Sequence, residues 1–432
     1  MTDSPRNIIL LSADALRADH LSSYGYHRET SPVLDDLAEE STRFTNAYSA
    51  SSHTREAVPA LLTGEYPDVA VDSGYHLATE SVAETLSAEG FATAGFHSNP
   101  FVSRAYGFDR GFDHFDDDLH LSQHKLIALA QRAFDKLRNR HYARAEEINE
   151  RSLAWLDSLD DGEPFFLWNH YLDTHGPYEP PGEYATLYTK QELSGREAQS
   201  LYQRAIDNPD SITADEQELL IDLYDAEIRY NDAQIGAFLD ALRERELLEE
   251  SLVIVTADHG DAFNEHGYYE HPRYLHAELT HVPLFVRIPS GTQNVVDAPA
   301  STLDIVATIE SVVGTQSVSD ESPGESLLDD IPSDRRVFSQ ARGEDTDSHL
   351  RRYALRTDTE VCFGERDTET ETMEVTDATD STLHSELTAH IEERVRVTSE
   401  NTNGRSDSED GDGDGEVDEE IERRLSALGY TE

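Results

Sequence analysis

Two aspartates, one followed directly by a histidine, and a threonine at the head of a helical segment are the residues best placed to do chemistry in this chain. Asp14 stands just beyond an apolar run at 7–11, and Asp258-His259 just beyond a second at 252–256. Asn169-His170 and then Asp173-Thr174-His175 follow a third run at 165–168. Ser51-Ser52-His53-Thr54-Arg55 precedes a helical stretch ending near Gly64. Ligands of open α/β sheets sit beyond the carboxyl ends of the strands, so these groups converge on one rim. Two carboxylates, an imidazole and a hydroxyl make a divalent-metal site. The oxygens suit hard cations, and the imidazole moves the preference towards Mn or Zn. A metal would activate the otherwise weak Thr54 hydroxyl as a nucleophile, and free N–H groups at a helix N-terminus would favour a tetrahedral oxyanion. Each residue also has a plainer use: Asp14 as a turn cap, Thr54 as a helix N-cap, His259 and His175 as hydrogen-bonded loop histidines.

The elements that must position these groups follow from periodicity. Short apolar runs at 7–11, 92–96, 165–168, 252–256 and 282–288 read as buried strands, and helical patterns at 31–40, 81–89, 121–159, 214–247 and 303–313 lie between them. Strands alternating with helices predict a mostly parallel central sheet flanked by helices. Beyond about residue 336 the texture changes to short strands at 353–356, 360–363 and 372–375, as in a small α+β subdomain with an antiparallel sheet. Four regions result: 1–335, 336–398, an acidic linker at 399–418 with too few apolar residues to order itself, and a last amphipathic helix within 419–432. The Asp-Gly repeat at 410–415 resembles a calcium loop, but Ile421 occupies the position where an EF-hand needs glutamate.

Composition excludes several partners. The 432 residues hold 88 Asp+Glu against 34 Lys+Arg, a net charge of −54, which opposes nucleic acid and anionic membranes. The acidity is spread along the folded segments, and the basic residues are nearly all arginine. Such a chain repels itself in dilute buffer and is relieved at molar salt, where screening acts over about 3 Å. A halophile's protein of the haloarchaeal type is expected. The single cysteine, Cys362, allows no internal disulfide and no thiolate cluster. A polar N-terminus, and no run long enough to span a membrane, predict a cytoplasmic location.

Residues 7–14 (NIILLSAD) with Leu16-Arg17-Ala18-Asp19-His20-Leu21 resemble the opening of the sulfatase family, within the alkaline phosphatase superfamily. Leu61-Leu62-Thr63-Gly64-Glu65-Tyr66-Pro67 resembles the segment after that family's nucleophile. Residues 256–261 (TADHGD) with Glu265-His266-Gly267 resemble its metal signature, Thr174-His175-Gly176-Pro177-Tyr178 its substrate-histidine segment, and residues 281–285 its late core strand. The closing RRLSALGY at 423–430 matches as well. The resemblance runs in family order from 7 to 430 and implies an alkaline-phosphatase-type α/β sandwich.

One departure redirects the chemistry. Sulfatases carry a formylglycine made from Cys or Ser in a Cys/Ser-x-Pro-x-Arg motif. Counting back from residues 61–64, that position falls on Thr54, which cannot become formylglycine, and Val58 stands where the arginine belongs. The family's second aspartate is Ala15. Thr54 with Pro59 resembles instead the Thr-x4-Pro segment of phosphoethanolamine transferases in the same superfamily. The resemblance then implies one divalent ion (Mn, Mg or Ca, with Zn possible) on Asp14, Thr54, Asp258 and His259. It implies His175 or His271 near the leaving oxygen, with Arg55 beside the nucleophile as an anion clamp. His97 and Asn99 face the same rim, His266 and Asp261 support the ligands, and Arg17 pairs with a carboxylate. The expected reaction is hydrolysis or transfer at a sulfate or phosphate ester, leaning towards phosphoesters, on a small molecule, sugar or lipid head group. The alternatives are a true sulfuric ester hydrolase using Ser51 or Ser52, and a non-catalytic anion- or carbohydrate-binding protein on a decayed scaffold.

Overall fold

The computed structural model describes residues 5–118, 142–289, 291, 293–315, 322–376, 381–404, 421 and 424. The calcium-loop segment, residues 119–141 and most of the last helix lie outside them.

The first apolar run forms β1 (Asn7–Ala13), the strand around which the molecule is built. In chain order follow β2 (Thr42–Phe44), β3 (Ala92–Phe96), β4 (His114–Asp116), β5 (Phe165–Tyr171), β6 (Ser251–Ala257), β7 (Leu284–Arg287) and β8 (Asn294–Val296). They form one sheet in the order β8-β2-β7-β6-β1-β5-β3-β4. β1 lies parallel to both β5 and β6, while β7 is antiparallel to β6 and β2. β1 is apolar on both faces because both are covered. Ile9 and Leu11 pack with residues of α1 (Pro32–Ala38), α4 (Ala145–Leu156), α5 (Gly195–Asp207) and α6 (Ala214–Glu244). Ile8 and Leu10 pack with residues of α2 (Thr54–Thr63), α3 (Val82–Ala88) and α7 (Asp304–Val313). The carboxyl ends of β1, β3, β5 and β6 point the same way, which brings the loops after them to one rim.

A second sheet is an antiparallel meander of β9 (Val337–Arg342), β10 (Leu350–Arg356), β11 (Val361–Asp367) and β12 (Met373–Thr376). Leu383, Leu387 and Ile391, at i, i+4 and i+8 of α8 (Ser381–Gly404), pack on its Tyr353, Leu355 and Cys362. α8 runs to Gly404, into the segment that composition alone reads as a linker, because its apolar face is anchored upstream and the polar residues simply continue the turn. The meander also braces the segment that leads into α2. The Gln340 amide donates to the Ala50 carbonyl (2.8 Å) and the Ser339 hydroxyl to that of Ser49 (2.6 Å). Of the last helix, Ile421 and Arg424 are described; both are buried, and Arg424 pairs with Asp118 (3.1 Å).

Candidate active site

Asp14 leaves the end of β1, and Ala15 behind it has φ 57°, a left-handed conformation uncommon for a residue with a side chain. That turn points the Ala15 amide at Asp258 Oδ1 (3.2 Å), tying the first strand end to the sixth. Asp258 Oδ1 also accepts from the His259 amide (2.8 Å). The His259 Nδ1–H donates to the Gly260 carbonyl (2.8 Å), so Nε2 keeps its lone pair. Gly260 is obligatory: a Cβ there would lie 2.2 Å from the Glu278 carbonyl.

His259 Nε2 lies 3.6 Å from Asp14 Oδ1, 3.5 Å from Asp258 Oδ2 and 3.0 Å from Thr54 Oγ1. All four residues are at most 1% exposed. Asp14 Oδ1 and Asp258 Oδ2 have no hydrogen-bond partner among the described residues. Two buried carboxylate oxygens, an imidazole lone pair and a hydroxyl therefore face one point, and Asp14, Asp258 and His259 could hold an ion together. The donor set fits a divalent cation, since burying two unpaired carboxylate oxygens is otherwise unfavourable. Without it, burial and then the neighbouring Asp14 charge push the Asp258 carboxyl above its ordinary range. Asp14 is shifted the other way: burial opposes its charge, but His175, the His170 hydrogen bond and His259 outweigh burial. For His259 likewise, burial is outweighed by Asp258 and Asp14, which favour its charged form.

A chain of donors sets the other face of Asp14. The Trp168 indole N–H donates to Ser12 Oγ (2.9 Å), leaving the Ser12 hydroxyl to donate to His170 Nδ1 (2.9 Å). His170 Nε2–H then donates to Asp14 Oδ2 (3.3 Å), which also accepts from Asn99 Nδ2 (2.6 Å). Oδ2 is held by these two donors, which leaves Oδ1 facing His259 Nε2.

Thr54 is the first residue of α2, with His53 as the N-cap. The expected row of free amides is absent there. The Arg55 N–H donates to His53 Nδ1 (3.2 Å), and the Glu56 and Ala57 amides both donate to the His53 carbonyl (2.9 Å each). The helix offers Thr54 the favourable end of its dipole, the inner amides of its first turn being taken up by the cap.

His175 and His271 meet at Nε2···Nε2 2.9 Å, and the His271 ring lies 4.4 Å from that of His259, centroid to centroid. His175 Nδ1–H donates to the Gly176 carbonyl (2.5 Å). Burial, then the charges of His259 and His175, hold His271 well below its ordinary value. Arg55 is turned aside: its guanidinium lies over Phe101 (4.2 Å) and Tyr75 (5.1 Å). Ser51 Oγ donates to Glu56 (3.3 Å). His97 sits buried between Phe115 and Trp168, where burial holds it neutral with a pKa of about 3. Asp261 accepts from the Tyr178 hydroxyl, His266 pairs with Glu278 (2.6 Å), and Arg17 pairs with Asp19 and Glu265. Sequence reasoning missed the Trp168–Ser12–His170 chain. Its one signal was the polar Ser12 breaking the apolar run that follows Asn7 in β1.

The architecture is that of the alkaline phosphatase superfamily. The structure matches the phosphonate monoester hydrolase of Agrobacterium radiobacter with a TM-score of 0.67 at 18% identity, over 92% of this chain and 96% of that one. The Sulfatase family model matches residues 6–315, and the chain belongs to that family. A relative described as an uncharacterized sulfatase, YidJ of Escherichia coli, is 24% identical over 74% of this chain and 70% of its own length. Human iduronate 2-sulfatase is 26% identical over 69% of this chain and 62% of its own. Members of this superfamily use a divalent metal. Among the described residues no helix is long and apolar enough to cross a membrane.

Proposed function

We propose that this protein is a metal-dependent hydrolase or transferase of sulfate and phosphate esters, with phosphoesters favoured, and that Thr54 is its nucleophile. One observation carries the reading: buried Thr54 Oγ1 lies 3.0 Å from His259 Nε2, beside two carboxylate oxygens without hydrogen bonds. A divalent ion on Asp14, Asp258, His259 and Thr54 would lower the hydroxyl's pKa and offset charge on the transferred group. Deprotonated Thr54 attacks phosphorus, forming an O–P bond as the bond to the leaving alcohol breaks. His175 gives that alcohol its proton. Water then attacks the phosphothreonine and returns a proton to His175, and the Thr54 oxygen is released. An acceptor alcohol in place of water makes the same sequence a transfer. His271 positions His175 through their Nε2 contact. His53 caps the helix that carries Thr54.

The lean towards phosphoesters rests on a threonine where the family's oxidisable residue belongs, and the fold match to a phosphonate monoester hydrolase agrees with it. Sulfate esters are the second reading, favoured by the family match over residues 6–315. The test compares aryl phosphate, phosphodiester and aryl sulfate turnover in molar KCl with Mn, Mg, Ca or Zn. Phosphoester turnover is expected to fall about a thousandfold or more in Thr54→Ala with metal still bound, and to survive in part in Thr54→Ser. Full activity in metal-loaded Thr54→Ala would remove Thr54 from the mechanism. Sulfate turnover surviving in that variant would turn attention to Ser51 and Ser52.

A further inference from the structure

Three guanidinium groups meet at one tyrosine ring. The Tyr75 centroid lies 4.9 Å from the Arg342 guanidinium carbon, 5.1 Å from that of Arg55 and 5.3 Å from that of Arg273. The three come from separate parts of the fold. Arg55 is in the first turn of α2, next to Thr54; Arg273 is in the loop after His271; Arg342 ends β9 of the C-terminal sheet. Tyr75 itself has φ 63°, so its backbone holds the ring in a conformation that side-chain-bearing residues rarely adopt.

In a chain with 34 Lys+Arg against 88 Asp+Glu, such crowding of positive charge calls for a reason. Buried Glu56 is shared between Arg273 and Arg342, at 3.4 Å from each. Arg351 stands alongside, and burial followed by the Arg342 charge pulls it below the ordinary arginine value. The cluster adjoins the rim that carries His271. Contact is continuous: Arg55 lies over Phe101, Phe101 is 5.5 Å from His53, and His53 is 5.3 Å from His271, ring to ring. Arg55, Tyr75 and Arg342 are each partly exposed, so a ligand can reach them. Planar guanidinium groups take carboxylate, sulfate or phosphate through paired N–H donors.

We propose that the Tyr75 cluster is a second anion subsite: the substrate is an ester whose leaving group carries a further carboxylate, sulfate or phosphate, held by Arg55, Arg273 and Arg342. This rests on the ester-cleaving reading above. The C-terminal sheet then does more than brace the nucleophile segment, because it supplies Arg342 to substrate selection.

The test reads binding apart from turnover. Metal-loaded Thr54→Ala protein is titrated calorimetrically with 3-carboxyphenyl phosphate and with the methyl ester of its carboxylate, in molar KCl. The acid is expected to bind about tenfold tighter or more. Arg342→Gln, added to Thr54→Ala, is expected to bring the two ligands within about twofold, while Arg342→Lys keeps part of the preference. Arg55→Gln is the second variant, on a helix anchored by Val58, Leu61 and Leu62, in case loss of Arg342 loosens the C-terminal sheet. Equal binding of the two ligands, no binding of the acid at millimolar concentration, or a preference unchanged in both glutamine variants would overturn the subsite. A retained preference together with no ester turnover by the protein with Thr54 intact would overturn the reaction reading and leave the subsite standing.

Discussion

Asp14 uses its two oxygens for different purposes, and the division sets a prediction. Oδ2 is fixed by Asn99 and by His170, whose ring orientation is fixed in turn by Ser12 and Trp168. Removing such support leaves the ligand in place but free to rotate. Asn99→Ala and His170→Ala should each weaken Mn binding by about 10- to 100-fold, read by calorimetric titration of the apoprotein. Ordinary affinity in both, with folding intact by thermal melting, would show that the metal position does not depend on this support. Much of this site is legible in the sequence, because Asp14, Thr54 and Asp258-His259 each fall at an element end that apolar patterning locates. Asn99 is legible as a rim residue for the same reason. What the sequence hides is pairing across distance: His170 and Asp14 are 156 positions apart, and nothing local ties them. Arg55 shows a second thing that sequence position does not give, the direction of a side chain. Its place next to Thr54 suggests a clamp on the reacting group, yet the helix turns its side chain towards Phe101 and Tyr75.

At the scale of elements, the amino end of α1 depends on a residue from another helix. Asp232 of α6 accepts the Val33 amide at Oδ2 (3.0 Å) and the Leu34 amide at Oδ1 (2.9 Å), a capping role filled across the core. Asp232→Ala leaves both amides without these acceptors and should cost about 2 kcal/mol in denaturant unfolding. Burial, opposed by those two amides and Arg229, pushes the Asp232 pKa from 3.8 up to about 7. The folded state then binds more protons than the unfolded state between those values. The contribution of Asp232 is therefore full below about 3.8 and is lost as pH rises through about 7. Asp232→Asn does not titrate, so its melting temperature should gain on the natural protein's as pH rises across that window. A constant difference between the two would show that Asp232 titrates alike folded and unfolded. The same layer explains which elements the sequence discloses. β1, β5 and β6 are plain because buried parallel strands are continuous apolar runs. The reversed direction of β7 is not readable, since the same apolar run serves either orientation. α5 carries a capping box from Ser194 to Glu197, but its polar composition masks it. α8 shows apolar residues four apart, yet the acidic stretch that follows dominates a compositional reading.

For the molecule as a whole the governing quantity is a charge of −54 over 432 residues. Two salt effects oppose each other. Added KCl weakens attractive pairs such as Arg6–Glu250 and Arg245–Asp157, and it weakens repulsion among the carboxylates. Exposed ion pairs contribute about 0–1 kcal/mol each, so the loss is small. Acidic residues outnumber basic ones 88 to 34, so most charge contacts in this chain are repulsive, and relieving them outweighs that loss. The melting temperature should therefore rise between 0.1 M and 2 M KCl, by about 10 °C, with much of the gain below 1 M as the screening length falls from about 10 Å to about 3 Å. The paired arginines at Tyr75 should resist this screening, because Glu56 is almost fully buried and lies within contact distance of both Arg273 and Arg342. The fold should thus tighten with salt and the cluster keep its geometry, while the second anion's contacts at partly exposed Arg55 and Arg342 weaken by screening and by competing chloride. Thermal melts and the calorimetric titration over one KCl series test both halves. A flat or falling melting curve would mean that the carboxylates are too widely spaced to repel across the folded surface, and the halophilic reading of the composition would fall with it.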